Sequence, residues 1–220
     1  MDIDPRFPLN EKVLIRINGK NIYGNLEIPL KAKGLVIFAH GSGSGRLSKR
    51  NIYVADFLKK NDLGTLLFDL LTAEEEKIDS YTAEYRFNIG LLSKRLVDVT
   101  DWLINERKLK DLQLGYFGAS TGAAAALTAA AERQAIIYAV VSRGGRPDLA
   151  MRSLPKLKAP TLLIVGGEDF EVIELNKAAY KSITAEKKLE IIRGATHLFE
   201  EPGALEEVSR LTAAWFTKHL

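Results

Sequence analysis

The chain predicts an α/β protein, with a parallel sheet covered by helices on both faces. Three observations carry this. From Gly34 onward short apolar runs alternate with amphipathic stretches, the pattern of repeated strand–helix units. The first of these runs, Leu35-Val36-Ile37-Phe38-Ala39, is continuously apolar, as in a strand buried on both sides. The length of 220 residues, 46% of them hydrophobic, fits one domain spanning 1–220 more easily than two.

Taken in order, residues 12–17 and 22–28 alternate apolar with polar around Asn18-Gly19-Lys20-Asn21. That pattern predicts a hairpin, placing 11–30 in the sheet. After the 35–39 strand comes a glycine-rich loop, His40-Gly41-Ser42-Gly43-Ser44-Gly45. Residues 50–60 space Ile52, Ala55, Phe57 and Leu58 as one helical face, and Thr65–Phe68 is the next strand, ending at Asp69. The segment 73–106 opens on Glu74-Glu75-Glu76 and becomes strongly helical through Ile89, Leu92, Leu96, Val99, Trp102 and Leu103. The stretch around 70–88 is the one candidate lid, and it is modest. Leu112–Phe117 is a strand, 121–132 a helix, and Ile136–Val141 a strand ending in Ser142-Arg143-Gly144-Gly145-Arg146-Pro147. Thr161–Val165 is a strand ending in Gly166-Gly167-Glu168-Asp169; 171–180 is a helix, 188–192 a strand and 204–218 a final helix.

Composition narrows the function. Thirty-one basic and 28 acidic side chains interleave to a net charge of +3, which leaves no footprint for nucleic acid and no polybasic membrane anchor. Cysteine is absent, so disulfides, thiolate metal sites and a cysteine nucleophile are excluded; this agrees with a reducing compartment. The N-terminal Met-Asp-Ile-Asp-Pro-Arg does not read as a signal peptide, and no apolar run approaches the roughly 20 residues that span a bilayer. A soluble, cytoplasmic protein is expected.

The chemistry concentrates at Gly118-Ala119-Ser120-Thr121-Gly122, a G-x-S-x-G pentapeptide between a strand and an alanine-rich helix. In that context the serine sits on a strained turn at a helix N-terminus, and its neighbours two positions away must be small. A hydroxyl needs a base to take its proton, and histidine, with a free pKa of about 6.5, suits neutral water. Of His40, His197 and His219, only His197 completes the order nucleophile, acid, histidine that accompanies such a turn. His219 reads as solvated surface, and His40 as a residue pinning its loop, with substrate contact the alternative. Asp169 is the preferred acid and Glu168 the reserve, with Asp148 and Asp69 further alternatives. The oxyanion donors are expected to be the backbone N–H groups of Thr121 and of Ser42. A phosphate cradle is the other reading of the glycine loop, which lacks the glycine-lysine spacing of a nucleotide site. Arg143 and Arg146 lie where ligands gather, beyond a strand's carboxyl end, and either could hold a substrate carboxylate; an internal ion pair is the equal alternative.

These segments together resemble the dienelactone-hydrolase-like group of small α/β-hydrolases from about Gly34 onward. The resemblance rests on His40–Ser44, Gly118–Leu127, Ser142–Pro147 and the Gly-Gly-x-Asp at 166–169. It implies an α/β-hydrolase fold with a mostly parallel eight-stranded sheet, a minimal or absent cap and a Ser-Asp-His triad. One departure matters: dienelactone hydrolases carry a cysteine nucleophile, and serine stands here, so the dienelactone substrate does not carry over. The expectation is a cofactor-free, metal-free serine hydrolase of the carboxylesterase type, acting on small or medium esters. Ser120, His197 and Asp169 would form a hydrogen-bonded triad. Acyl transfer, amide cleavage or a non-catalytic scaffold are the alternatives, and a homodimer could form through a hydrophobic edge or helix pair.

Overall fold

The computed structural model describes residues 8–105, 109 and 112–220. The N-terminal stretch Met1–Arg6 and the end of the helix expected to reach 106 lie outside them. Strands β1 (Leu9–Ile17) and β2 (Lys20–Ile28) pair antiparallel, with Ile17 opposite Lys20. The link between them is Asn18-Gly19, at φ 48° and 72°. Positive φ at both turn positions matches the twist of the flanking strands, and Asn-Gly adopts it at low cost. The alternation expected from the sequence holds: Val13, Ile15, Ile22 and Leu26 point inward and are buried.

Beyond the hairpin come β3 (Gly34–Ala39), α1 (Lys49–Lys59), β4 (Leu63–Phe68), α2 (Ala73–Thr82), α3 (Ile89–Asn105), β5 (Gln113–Ala119) and α4 (Thr121–Glu132). They are followed by β6 (Ile137–Arg143), β7 (Thr161–Gly166), α5 (Phe170–Ser182), β8 (Lys187–Ile192) and α6 (Ala204–His219). The eight-stranded sheet has the order β1-β2-β4-β3-β5-β6-β7-β8. β2 joins β4 antiparallel, and every pair from β4 across to β8 is parallel. Leu96, Leu103, Leu127 and Ala179 of α3, α4 and α5 pack one face; Val54, Leu58, Val208 and Phe216 of α1 and α6 pack the other. Both faces are covered, so β3 to β7 can be apolar throughout. Each fully buried Leu or Phe there contributes roughly 1.5–3 kcal/mol.

The 73–106 segment is not one helical stretch. α2 ends at Ala83, in the left-handed region at φ 56°, and α3 starts afresh at Ile89. Two short polar side chains explain the break by competing for backbone groups. The Asp79 carboxylate accepts the N–H groups of Tyr85 (2.7 Å) and Arg86 (2.9 Å), and Asn88 Oδ1 accepts the N–H of Leu91 at 3.0 Å. The acidic run also divides. Glu75 is buried: it closes a capping box with Thr72 and accepts Arg95 Nη2 at 3.0 Å, tying α2 to α3. Burial alone would raise its pKa, but Arg95, Lys20 and the Thr72 amide hold it down at about 2. Glu76 stays exposed and borders a cavity.

Candidate active site

The parallel strands deliver their carboxyl ends to one edge of the sheet, where open α/β sheets gather their ligands. There β3 runs into the 40–45 loop, β5 into Ser120, β6 into Arg143-Gly144, β7 into Asp169, and β8 into the His197 loop.

Ser120 is the residue between β5 and α4, at φ 51° and ψ −121°. A non-glycine residue held there costs about 1–3 kcal/mol and persists only where the surroundings enforce it. They do: Ser120 N–H donates to Arg143 O (3.1 Å), and Ser120 O accepts from Ala123 and Arg146 N–H (both 3.1 Å). The small-residue requirement is steric. A Cβ on Gly118 would lie 2.4 Å from Ala123 Cα, and one on Gly122 would lie 2.2 Å from Ala39 O. Strand, turn and helix pack backbone to backbone, and α4 is buried at Ala123 to Ala126 for the same reason.

His197 Nδ1 lies 2.7 Å from Asp169 Oδ2, with the carboxylate side chain 15% exposed and the imidazole 39%. Its ring borders the serine turn: a Cβ on Gly144, next to the residue that accepts Ser120 N–H, would stand 3.5 Å from His197 Cε1. The expected Ser120–His197 hydrogen bond is not formed; the ring's hydrogen bond is the one to Asp169. The competing acids are engaged elsewhere. Asp148 accepts Arg146 Nε (2.9 Å) and Nη2 (2.8 Å) in a bidentate pair. Asp69 accepts the Arg46 amide at 2.8 Å as well as its guanidinium. Glu168 follows β7 like Asp169, and it is Asp169 that reaches the imidazole.

Ser42 and Thr121 come together, though not as two open amides. Ser42 N–H donates to Thr121 Oγ1 at 3.1 Å, and the two hydroxyl oxygens lie 2.9 Å apart. Thr121 opens α4, where the first N–H groups have no intrahelical acceptor. The Thr121 side chain escaped the sequence reading; a hydroxyl directly after Ser120 was the signal for it.

His40 is buried with both ring nitrogens bonded to backbone: Leu70 N–H donates to Nε2 (2.9 Å) and Nδ1 lies 2.9 Å from Gly41 O. Since Leu70 donates, Nε2 carries the lone pair and Nδ1 the proton, which fixes a neutral tautomer. Burial lowers its pKa. The ring pins its loop and has no nitrogen left for substrate. His219 packs its ring against Trp215 at 4.6 Å. Arg146 takes the internal-pair alternative with Asp148, whereas Arg143 has neither pair: it is buried, with Nε and Nη1 unpartnered. Burial first and then neighbouring Arg50 lower its pKa to about 10, which leaves it charged at neutral pH. Among the described residues no group of three or more His, Cys, Asp or Glu could hold a metal. A cavity of about 530 Å³ opens beside this edge, lined by Tyr23, Ser44, Arg46, Asp69 and Glu76 among others. A smaller recess that includes His40, Ser42 and Thr121 adjoins it.

A dienelactone hydrolase from Anabaena variabilis, known from its crystal structure, is 55% identical, with 97% of this chain and 99% of that one covered and a TM-score of 0.95. The chain belongs to the dienelactone-hydrolase-like family. Est1E of Butyrivibrio proteoclasticus shares the α/β-hydrolase fold at a TM-score of 0.79 and 17% identity, covering 94% of this chain and 98% of its own. Mycobacterium tuberculosis holds a curated relative, 52% identical over 211 residues, whose name suggests a phosphoribosyl transferase. The match covers 96% of this dienelactone-hydrolase-like chain but 47% of that protein, so the chain spans about half the length of its curated relatives. No family model matches the sequence. Among the described residues no helix is long and apolar enough to cross a membrane.

Proposed function

We propose that this chain is a serine hydrolase, cleaving small or medium carboxylic esters through an acyl-enzyme on Ser120, in a reducing, cytoplasmic setting. One observation carries the reading: a strained serine at a helix N-terminus and an Asp169–His197 pair at 2.7 Å meet at the same sheet edge. Ser120 Oγ attacks the ester carbonyl while His197 Nε2 takes the hydroxyl proton. Asp169 holds the Nδ1–H and stabilises the imidazolium that results. The carbonyl oxygen, now negative, accepts from Thr121 N–H and from Ser42 N–H, the latter released as the Thr121 hydroxyl rotates away. His197 passes its proton to the leaving alkoxide; water then repeats the sequence on the acyl-enzyme and frees the acid. The Ser120–His197 hydrogen bond forms as substrate fills the site; such bonds are often long without it. The cavity between the glycine loop and α2 receives part of the ester, and its open lining, which mixes Ile22, Leu47 and Leu71 with polar groups, favours broad acceptance over a tight fit.

The test is Ser120→Ala. Turnover of p-nitrophenyl acetate and labelling by a fluorophosphonate are expected to vanish while circular dichroism stays unchanged. Ester turnover that survives in the variant would disprove the assignment.

A further inference from the structure

Arg143 ends β6 with 8% of its surface exposed, and its Nε and Nη1 have no hydrogen-bond partner. A buried cation is ordinarily paired with a carboxylate, because desolvation is otherwise uncompensated. Here its neighbours are the Phe117 ring, 6.0 Å from the guanidinium carbon, and a second guanidinium, that of Arg50 near the start of α1. Arg50 is itself half committed: Nη1 donates to Glu200 at 2.6 Å, while Nε is buried and unpartnered. Two guanidiniums and one carboxylate leave one positive charge uncompensated. At the backbone Arg143 adjoins the proposed nucleophile, its carbonyl accepting Ser120 N–H at 3.1 Å, and the Arg50 partner Glu200 follows His197 in the same loop. Free N–H groups on planar guanidiniums bind oxoanions in a bidentate manner and with little hydration to remove.

We propose that Arg143 and Arg50 bind a small oxoanion, a carboxylate or phosphate group, on the α1 side of Ser120. The anion is either a group carried by the ester itself, which rests on the hydrolase reading, or a free ligand, which does not.

Two measurements separate these sources. The first is the ratio of kcat/KM for mono-p-nitrophenyl succinate to that for p-nitrophenyl acetate, in the wild type and in Arg143→Met. A substrate-borne anion gives a wild-type preference for the succinate, and the variant lowers the ratio about tenfold or more. The second is the melting temperature in sodium phosphate against sodium chloride at equal ionic strength. A free oxoanion raises it by about 3 °C at saturating phosphate, in the wild type and equally in Ser120→Ala, and the rise is lost in Arg143→Met. Because Ser120→Ala retains the second readout, an error in the hydrolase reading leaves this proposal testable. Should Arg143→Met not fold, Arg50→Met takes its place in both assays. An unchanged succinate-to-acetate ratio together with no phosphate-specific rise overturns the proposal.

Discussion

Replacing Asp169 with Asn changes one oxygen to an amide group and removes one charge. In the native site Oδ2 stands 2.7 Å from His197 Nδ1, behind a side chain 15% exposed. In the proposed attack the imidazole becomes a cation at that distance. A unit pair near 4 Å is worth about 4 kcal/mol at an effective dielectric of 20. The imidazole is 39% exposed, which weakens that figure, whereas the Asn amide can also hold the ring in the wrong tautomer, which adds to the loss. Together these give a loss of about 3–5 kcal/mol in transition-state stabilisation, or roughly 10²–10⁴-fold in kcat, at 1.36 kcal/mol per decade. The assay is steady-state turnover of p-nitrophenyl acetate, with Glu168→Gln measured in parallel and expected within about threefold of wild type, because it does not touch the ring. A fall of less than tenfold in a well-folded Asp169→Asn, or an equal fall in Glu168→Gln, refutes the assignment of Asp169 as the orienting acid.

Three other perturbations probe the scaffold. Gly122→Ala forces a Cβ to 2.2 Å from Ala39 O and 2.3 Å from His40 O, so a loss of about 3 kcal/mol or more is expected, read as a fall of about 6–12 °C in melting temperature. His40→Ala leaves the buried Leu70 N–H without its 2.9 Å acceptor and opens a cavity; about 2–3 kcal/mol is lost, measurable by urea denaturation. Stability falls in acid in two windows. Glu75 has a folded pKa of about 2 against 4.5 unfolded, so its contribution is complete above pH 4.5 and is lost as pH drops toward 2. It is worth roughly 1–2 kcal/mol once the half-solvated Lys20 is discounted, and Glu75→Gln should flatten that window. His40, lowered by burial, stabilises fully above its ordinary 6.5 and contributes less as pH falls below it, so His40→Ala should flatten the higher window.

The order and type of the elements were legible because each strand–helix unit is encoded locally. The Asn18-Gly19 turn, the unbroken apolar strand at 35–39 and the alanines of α4 each need only their neighbours in sequence to be read. The break between α2 and α3 was not legible: Asp79 and Asn88 look unremarkable within a helical pattern, and their side chains stop it only by reaching backbone amides that are already in place. Glu75, read as part of an acidic patch, became a buried anchor because Arg95 lies 20 residues on and one helix away.

By itself the sequence determined the position of Ser120 on its turn, since Gly118 and Gly122 lack the Cβ that would keep strand, turn and helix from packing backbone to backbone around it. It also narrowed the candidate base to His197 by chain order. It preferred Asp169 but left Glu168 in reserve and Asp148 and Asp69 as alternatives, because a carboxylate's role depends on what it faces and all four end or follow elements in similar ways. Only the tertiary structure placed Asp169 on the imidazole, gave Asp69 and Asp148 to arginines, tied the Ser42 amide to the Thr121 hydroxyl and buried Arg143 without a carboxylate. Pairings of that kind join residues tens of positions apart, and hydrogen bonds and charges act over a few ångströms in space, a distance that sequence separation does not measure.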